Sequence, residues 1–512
     1  MGVPQNICHD QTRSARNRVP GPSSCPPACG RARALLFSRR VFFVKLSIMI
    51  KTRFAPSPTG ELHIGGVRTA LFEYLFAKNQ GGEFLLRIED TDRERYVKGA
   101  EERIAESLHW LGIVPDNIGD LTVQSKRLEI YKKHAFDLVN SGKAYICTCS
   151  KEKLAADKER QLKEGRPPRY EGYCRDAKIN IKDLANDGYV IRMKMPKSGT
   201  IVVSDLIRGK VEFESEVFDD QIILKSDGYP TYHLASVIDD HAAEITHVIR
   251  SEEWLSSTPK HLTLYKMFGW KPPEFAHLSM ILGKDKSKLS KRHGATSVLE
   301  YRDLGYLPEA IVNFIALLGW NPKNDRELFT LPELISEFKL KNVNSAPAIF
   351  DLEKLNWMNK NYIMNANSDE LRSYLGAFGA RELSDEKISL VKRGGYPTLK
   401  EAAEYLILLD KLPSYKKDLL IFKKSNRDKT LVGLRRALEK LSVLENWSEE
   451  LLQKVLETVV LEEKLTNGDV FWPVRVALSG LEKSPSPVEL LLALEERESL
   501  KRIKTAIEKL SS

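Results

Sequence analysis

Apolar residues change their spacing several times along the chain, and each change marks an element. Residues 50–55 form a short run that Pro56 and Pro58 prevent from continuing, which predicts a strand followed by a turn. Val67, Ala70, Leu71 and Tyr74 then recur at helical spacing, so 67–77 is predicted as a helix. Gly81-Gly82 ends it, 83–90 is an apolar strand finishing on Glu89 and Asp90, and 92–111 is predicted as a helix carrying Ile104, Leu108 and Leu111 on one face. Strand, helix, strand, helix predicts an α/β half-domain with a parallel sheet. From about Gln124 the pattern breaks into short strands at 190–194, 200–203, 211–213 and 221–224, which reads as an insertion. Buried strands resume at 245–250 and 275–282, and beyond Arg292 the period becomes helical, with Leu434, Leu438 and Leu441, then Leu452, Val455, Leu456 and Val459, then Leu500, Ile503, Ile507 and Leu510 on single faces.

A chain of 512 residues with 42% hydrophobic content is long enough for three or more domains. Its formal charge of +9 is concentrated in residues 1–48, which hold eight basic residues against Asp10; the remainder has 71 basic and 69 acidic residues. Overall charge therefore gives no argument for nucleic acid, and an RNA-binding surface must be a local basic face. The leader is rich in Arg, Pro, Ser and Gly, as transit peptides are, but its prolines exclude a long amphipathic helix, and we expect translation to begin at Met49. No apolar run is long enough to cross a bilayer, and the expectation is a cytoplasmic protein, or an organellar one if the leader is a true transit peptide.

The stretch 54–66, FAPSPTGELHIGG, places His63, Gly65 and Gly66 at a predicted helix N-terminus. Unpaired N–H groups there attract phosphate, glycine allows close approach, and histidine can donate to it. Taken alone, the histidine could equally be a plain helix cap. Ligands of open α/β sheets bind at the carboxyl ends of the strands, so Glu89 and Arg250 should face the same crevice as this turn. Arginine suits a carboxylate ligand; the plainer alternatives are a helix-leading acid and a surface salt bridge to Glu252 or Glu253. Lys288 and Lys291 lie in a run, 283–292, in which five of ten residues are basic, at the end of the 275–282 strand. That run is either a solvated loop or a source of positive charge for a reacting phosphate. Cys147, Cys149 and Cys174 have metal-ligand spacing, with the fourth position open to Asp176, Tyr170 or water; three reduced structural cysteines are the alternative.

The HIGG turn and KLSKR (288–292) resemble the two signatures of class I aminoacyl-tRNA synthetases, and RIEDTDRERY (87–96), KSDGYPTYHLA (225–235) and VIRSEEW (248–254) resemble bacterial-type glutamyl-tRNA synthetases. The resemblance runs from about Met49 onward. It implies a Rossmann-type catalytic domain in halves 49–123 and 229–292, an inserted α+β acceptor-binding domain at 124–228, a stem-contact helical domain at 293–370 and an all-helical anticodon-binding region at 371–512. It implies ATP, with Mg2+, bound by Pro56, His63, Gly65, Gly66 and Lys291, and catalysis by His63, Lys288 and Lys291. Glutamate would be held by Arg53, Ser57, Glu89, Tyr232 and Arg250, and structural Zn2+ by Cys147, Cys149, Cys174 and Asp176, although histidine is the usual fourth ligand. The partner implied is glutamate tRNA, with a monomeric enzyme. Ser236 stands where such enzymes commonly carry asparagine. Gly395, near Arg393, stands where those restricted to glutamate tRNA tend to carry arginine, which predicts relaxed specificity extending to glutamine tRNA. A non-catalytic paralogue and a shorter relative that glutamylates a tRNA base are the alternatives; a dinucleotide oxidoreductase is disfavoured because no G-x-G-x-x-G follows the first strand.

Overall fold

The computed structural model describes residues 49–177, 179, 188–289 and 297–512. The leader, Lys291 and Arg292 lie outside the described residues. Alternation of strand and helix begins with β1 (Lys51–Phe54), α1 (Ile64–Asn79), β2 (Glu83–Ile88), α2 (Ala100–Trp110) and β3 (Thr122–Val123). These strands form a parallel sheet in the order β1-β2-β3. The helix expected at 92–111 starts only at Ala100. Gly99, at φ 81, occupies a left-handed conformation just before it, while Arg93 and Arg95 pair with Asp90 and Asp92 in the preceding turns. Glu89 is therefore no helix-leading acid.

The irregular stretch contains α3 (Leu128–Asn140), β4 (Ala144–Cys147), α4 (Lys151–Lys163), β5 (Val190–Met193), β6 (Thr200–Asp205), β7 (Gly209–Glu214) and β8 (Ile222–Leu224). The chain then returns through α5 (Tyr232–Ala242), β9 (His247–Ser251), α6 (Thr258–Phe268) and β10 (Glu274–Leu278). Strands β4, β5 and β8 make their own antiparallel sheet, but the β6–β7 hairpin does not stay with them. It extends the sheet β7-β6-β10-β9, joined through the pair Asp205 and Phe275. One hairpin of the expected insertion thus leans on the returning α/β half. This mixed sheet and the parallel β1-β2-β3 sheet meet edge to edge where Thr246 N donates to Lys51 O at 3.0 Å and Lys51 N donates to Thr246 Oγ1 at 2.9 Å.

From Pro308 onward the regular structure is almost entirely helical, and Leu434, Leu441, Leu452, Leu456, Val459, Ile503 and Leu510 enter one apolar core as their spacing predicts. The helix Pro487–Ser511 is bent at Glu495, whose φ of 59° is left-handed. Beyond the bend, buried Arg502 donates to the carbonyls of Leu409 and Leu478, both at 2.7 Å, and of Asp410 at 3.1 Å. It thereby satisfies carbonyls at the C-terminal ends of Leu399–Lys411 and Asn467–Ser479, which those helices cannot satisfy themselves. No helix among the described residues is long and apolar enough to cross a membrane.

Candidate active site

Pro56 and Pro58 end β1 and the chain turns through Gly60 toward α1. Glu89 N donates to Pro56 O at 3.0 Å, pinning this turn against the end of β2. His63 is the N-cap of α1, and its Nδ1 accepts from Gly66 N at 3.1 Å. A nitrogen that accepts carries no proton, so the neutral ring presents Nε2–H. Burial, then the Lys288 charge, holds its pKa below the ordinary 6.5. The cap and the donor are thus one arrangement. A Cβ on Gly65 would stand 3.0 Å from the imidazole and one on Gly66 would stand 2.8 Å from Leu62, so both glycines make room for the ring and the turn.

This turn forms one wall of a cavity of about 980 Å³ at the carboxyl ends of β1, β2 and β9. Every described residue to which the resemblance assigns ATP or glutamate lines it: Pro56, His63, Gly65, Gly66, Arg53, Ser57, Glu89, Tyr232 and Arg250. Lys288 lines it too, its ammonium 2.5 Å from Glu253 at the surface. The backbone brings the second basic run there: Val298 N donates to Leu62 O at 3.0 Å, and Leu289 N to Ile281 O at 3.2 Å.

Arg250 is buried and makes no surface pair. Its Nε donates to His277 Nε2 at 3.1 Å, Nη1 to the Tyr232 hydroxyl at 2.6 Å, and Nη2 to Thr258 Oγ1 at 2.9 Å and Trp254 O at 3.3 Å. Four of its five N–H groups are engaged, so Arg250 presents no bidentate fork to the cavity. One Nη1–H and the Tyr232 hydroxyl proton remain, side by side.

Under the floor lies a charge network that pattern reading missed. Arg53 bonds Asp240 at 2.9 Å and Glu73 at 3.3 Å; Arg87 bonds Asp240 at 2.6 Å and Glu89 at 3.0 Å. Asp239 accepts from Tyr131 at 2.8 Å, and from Gln124 and Arg127 at 3.0 Å each. Burial by itself raises the Asp240 carboxyl, but Arg53 and Arg87 outweigh it and hold the group below its ordinary value. Burial dominates at Glu89 and Glu73 and raises both. The available signals were an arginine inside the apolar strand FLLRI and two successive acids inside the apolar face of α5. Ser236, which stands where asparagine is common, accepts from Arg87 Nη2 at 3.2 Å and is fully buried.

Cys147, Cys149 and Cys174 place their sulfurs within 4.8 Å of one another. Asp176, read as the fourth ligand, is exposed and stands outside this group, because the turn after Cys174 carries it toward solvent. The Tyr170 hydroxyl is there instead, 3.3 Å from Cys147 Sγ and 3.7 Å from Cys149 Sγ. Three thiols in a largely buried apolar pocket fit three positions of a four-coordinate zinc, and the Tyr170 hydroxyl stands beside the fourth.

Gly395 ends the helix Asp385–Gly394 in a left-handed conformation, φ 69, and a Cβ there would meet Lys360 Nζ at 2.6 Å. Its identity follows from that backbone. Neighbouring Arg393 pairs with Glu449 at 3.0 Å.

Two family models match the chain: the catalytic domain of class I tRNA synthetases (E and Q) over residues 49–357, and an anticodon binding domain over 353–507. A glutamate–tRNA ligase of Dehalococcoides mccartyi is 45% identical over 90% of this chain and 98% of its own length. One of Thermodesulfovibrio yellowstonii is 43% identical over 90% of this chain and all of its own. Among solved structures, a glutamate tRNA ligase of Elizabethkingia meningosepticum in complex with its amino acid superposes with a TM-score of 0.80 at 36% identity, covering 90% of this chain and 100% of that one.

Proposed function

The chain belongs to the glutamate–tRNA ligases of the class I aminoacyl-tRNA synthetases, and from that premise we propose how its residues divide the reaction. The enzyme activates glutamate with ATP and transfers the glutamyl group to tRNA. The observation that carries the assignment of roles is the single cavity uniting His63, Glu89, Arg250 and Lys288 at three strand ends.

The α1 N-terminus and His63 Nε2–H receive the phosphates, with Pro56, Gly65 and Gly66 shaping the approach. When the substrate carboxylate attacks the α-phosphorus and the bond to pyrophosphate breaks, charge grows on the phosphate oxygens, and Lys288, with Lys291, neutralises it. Stabilisation confined to that moment raises kcat. Glu89 with its network receives the substrate ammonium, and Arg53 and Ser57 complete the wall. The side-chain carboxylate meets Arg250 Nη1–H and the Tyr232 hydroxyl proton. Two donors suit a carboxylate and oppose a carboxamide, whose NH2 would face one of them. Mg2+ arrives with ATP, held by its phosphates and water.

The segment around β4, β5 and β8 serves as the acceptor-binding insertion, with Cys147, Cys149, Cys174 and Tyr170 holding Zn2+ that fixes its loops. Purified protein should contain about one zinc per chain, and Cys174→Ser should lose it; metal analysis showing none in wild type would remove this assignment.

The test of function is charging with labelled glutamate, with glutamate and glutamine tRNAs offered separately. The left-handed helix end accounts for Gly395 but puts no arginine in its place, so relaxed specificity stays part of the proposal, and charging of glutamine tRNA beside glutamate tRNA is expected. Charging of glutamate tRNA alone would discard it; charging of neither would withdraw the roles given to His63 and Lys288.

A further inference from the structure

Behind Arg250 lies a chain of contacts among residues that do not line the cavity. His277, on β10, has no exposed surface; its Nδ1 stands 2.6 Å from Asp205 Oδ2 and its Nε2 3.1 Å from Arg250 Nε. Arginine nitrogens only donate and a carboxylate only accepts. The ring is therefore neutral, with its proton on Nδ1 and the Nε2 lone pair turned to Arg250. Thr258 Oγ1, 3.2 Å from the same Nε2, receives Arg250 Nη2. Asp205 is itself fixed by its other oxygen, which accepts from Ile207 N and Arg208 N at 2.9 Å each. It is also the residue through which the β6–β7 hairpin pairs with β10.

We propose that Asp205 and His277 are positioning residues for amino-acid selection: Asp205 sets the tautomer of His277, and His277 holds the Arg250 guanidinium at the one rotation that leaves Nη1–H beside the Tyr232 hydroxyl. This rests on the reading of Arg250 as the group that binds the glutamate side chain. With Nε held by an acceptor, the edge of the guanidinium formed by Nε and Nη2 is turned away from the cavity. Without that acceptor the guanidinium can rotate, and the paired donors that separate glutamate from glutamine are lost.

Asp205→Asn gives the sharpest test. The asparagine oxygen can still accept from Ile207 N and Arg208 N, so the turn persists, but its NH2 now faces His277 Nδ1. The ring answers by moving its proton to Nε2, where it opposes Arg250 Nε–H. Loss of one hydrogen bond to a charged group predicts a glutamate KM raised about 10–100-fold, with KM for ATP and tRNA and kcat at saturating glutamate unchanged, and with discrimination against glutamine reduced. His277→Ala should behave likewise. His277→Gln, whose amide can donate to Asp205 and accept from Arg250, should return toward wild type. Circular dichroism checks that each variant is folded. Arg250→Ala separates the two levels: if it leaves glutamate KM unchanged, the reading of Arg250 fails and the proposal with it. If Arg250→Ala raises glutamate KM while Asp205→Asn leaves it at the wild-type value, the positioning role alone is overturned. A folded Asp205→Asn enzyme impaired equally toward all three substrates shows a merely structural residue and overturns it too.

Discussion

Asp240→Ala is expected to destabilise the catalytic half by about 3–5 kcal/mol. Among the described residues Asp240 is the only carboxylate paired with both Arg53 and Arg87, at 2.9 and 2.6 Å, and all three side chains are buried. Its removal leaves two guanidinium groups facing each other with Glu73, Glu89, Ser236 and, at 4.0 Å, Asp239 as remaining partners, and taking one partner from a buried pair costs far more than the pair contributes when intact. Because Arg53 joins β1 to α5 and Arg87 joins β2 to the same helix, the loss also loosens the cavity wall. Urea unfolding followed by circular dichroism measures the effect; a change below about 1 kcal/mol would mean the network reorganises at little cost. The sign of the pH dependence follows from the lowered carboxyl. A group whose folded pKa is depressed contributes fully above its unfolded value, here near the ordinary 3.8, and loses the contribution as pH falls through the lower folded value. Wild type should therefore lose this term only below about pH 4, and Asp240→Ala should lack it at neutral pH.

The second large effect is on rate. His63→Asn should lower kcat about 10²–10³-fold while leaving the fold within about 0.5 kcal/mol of wild type. Asparagine is among the best N-caps, so its side-chain oxygen can replace Nδ1 as acceptor for Gly66 N, but it is too short to put a donor where Nε2–H stands. The variant thus keeps the cap and removes the phosphate donor, whereas His63→Ala removes both and adds roughly 1 kcal/mol of lost capping. A fully active His63→Asn enzyme would reduce His63 to a helix cap. Protonation would occur at Nδ1 and cost the Gly66 cap rather than the Nε2–H donor, and because burial and then Lys288 lower the pKa, the capped neutral ring persists below the ordinary 6.5.

Local patterns carried much of this architecture. Two prolines and two glycines around His63 mark a turn whatever surrounds them, and a strand that ends in a carboxylate or an arginine points it at the crevice. What the sequence did not disclose is pairing across distance. Asp240 meets Arg53 from 187 residues away, and His277 meets Asp205 from 72. Periodicity says which face is buried, not which buried charge will find which. Asp176 shows the opposite failure. Spacing made Asp176 a ligand where the turn sends it outward. The 92–111 helix was drawn too long because charged residues in a solvent-facing turn do not differ in composition from those of a helix.

Arg502 gives the anticodon-binding region a schedule. It follows the carbonyl of Leu409 by 93 residues and that of Leu478 by 24. At ribosomal rates of roughly 5–20 residues per second, the helix Leu399–Lys411 waits on the order of 5–20 s for the guanidinium that closes its end. During that interval its last carbonyls can be satisfied only by water, so the helix must stay open to solvent there. Docking of the final helix, rather than formation of the earlier ones, is then the step that dries and locks this half of the molecule.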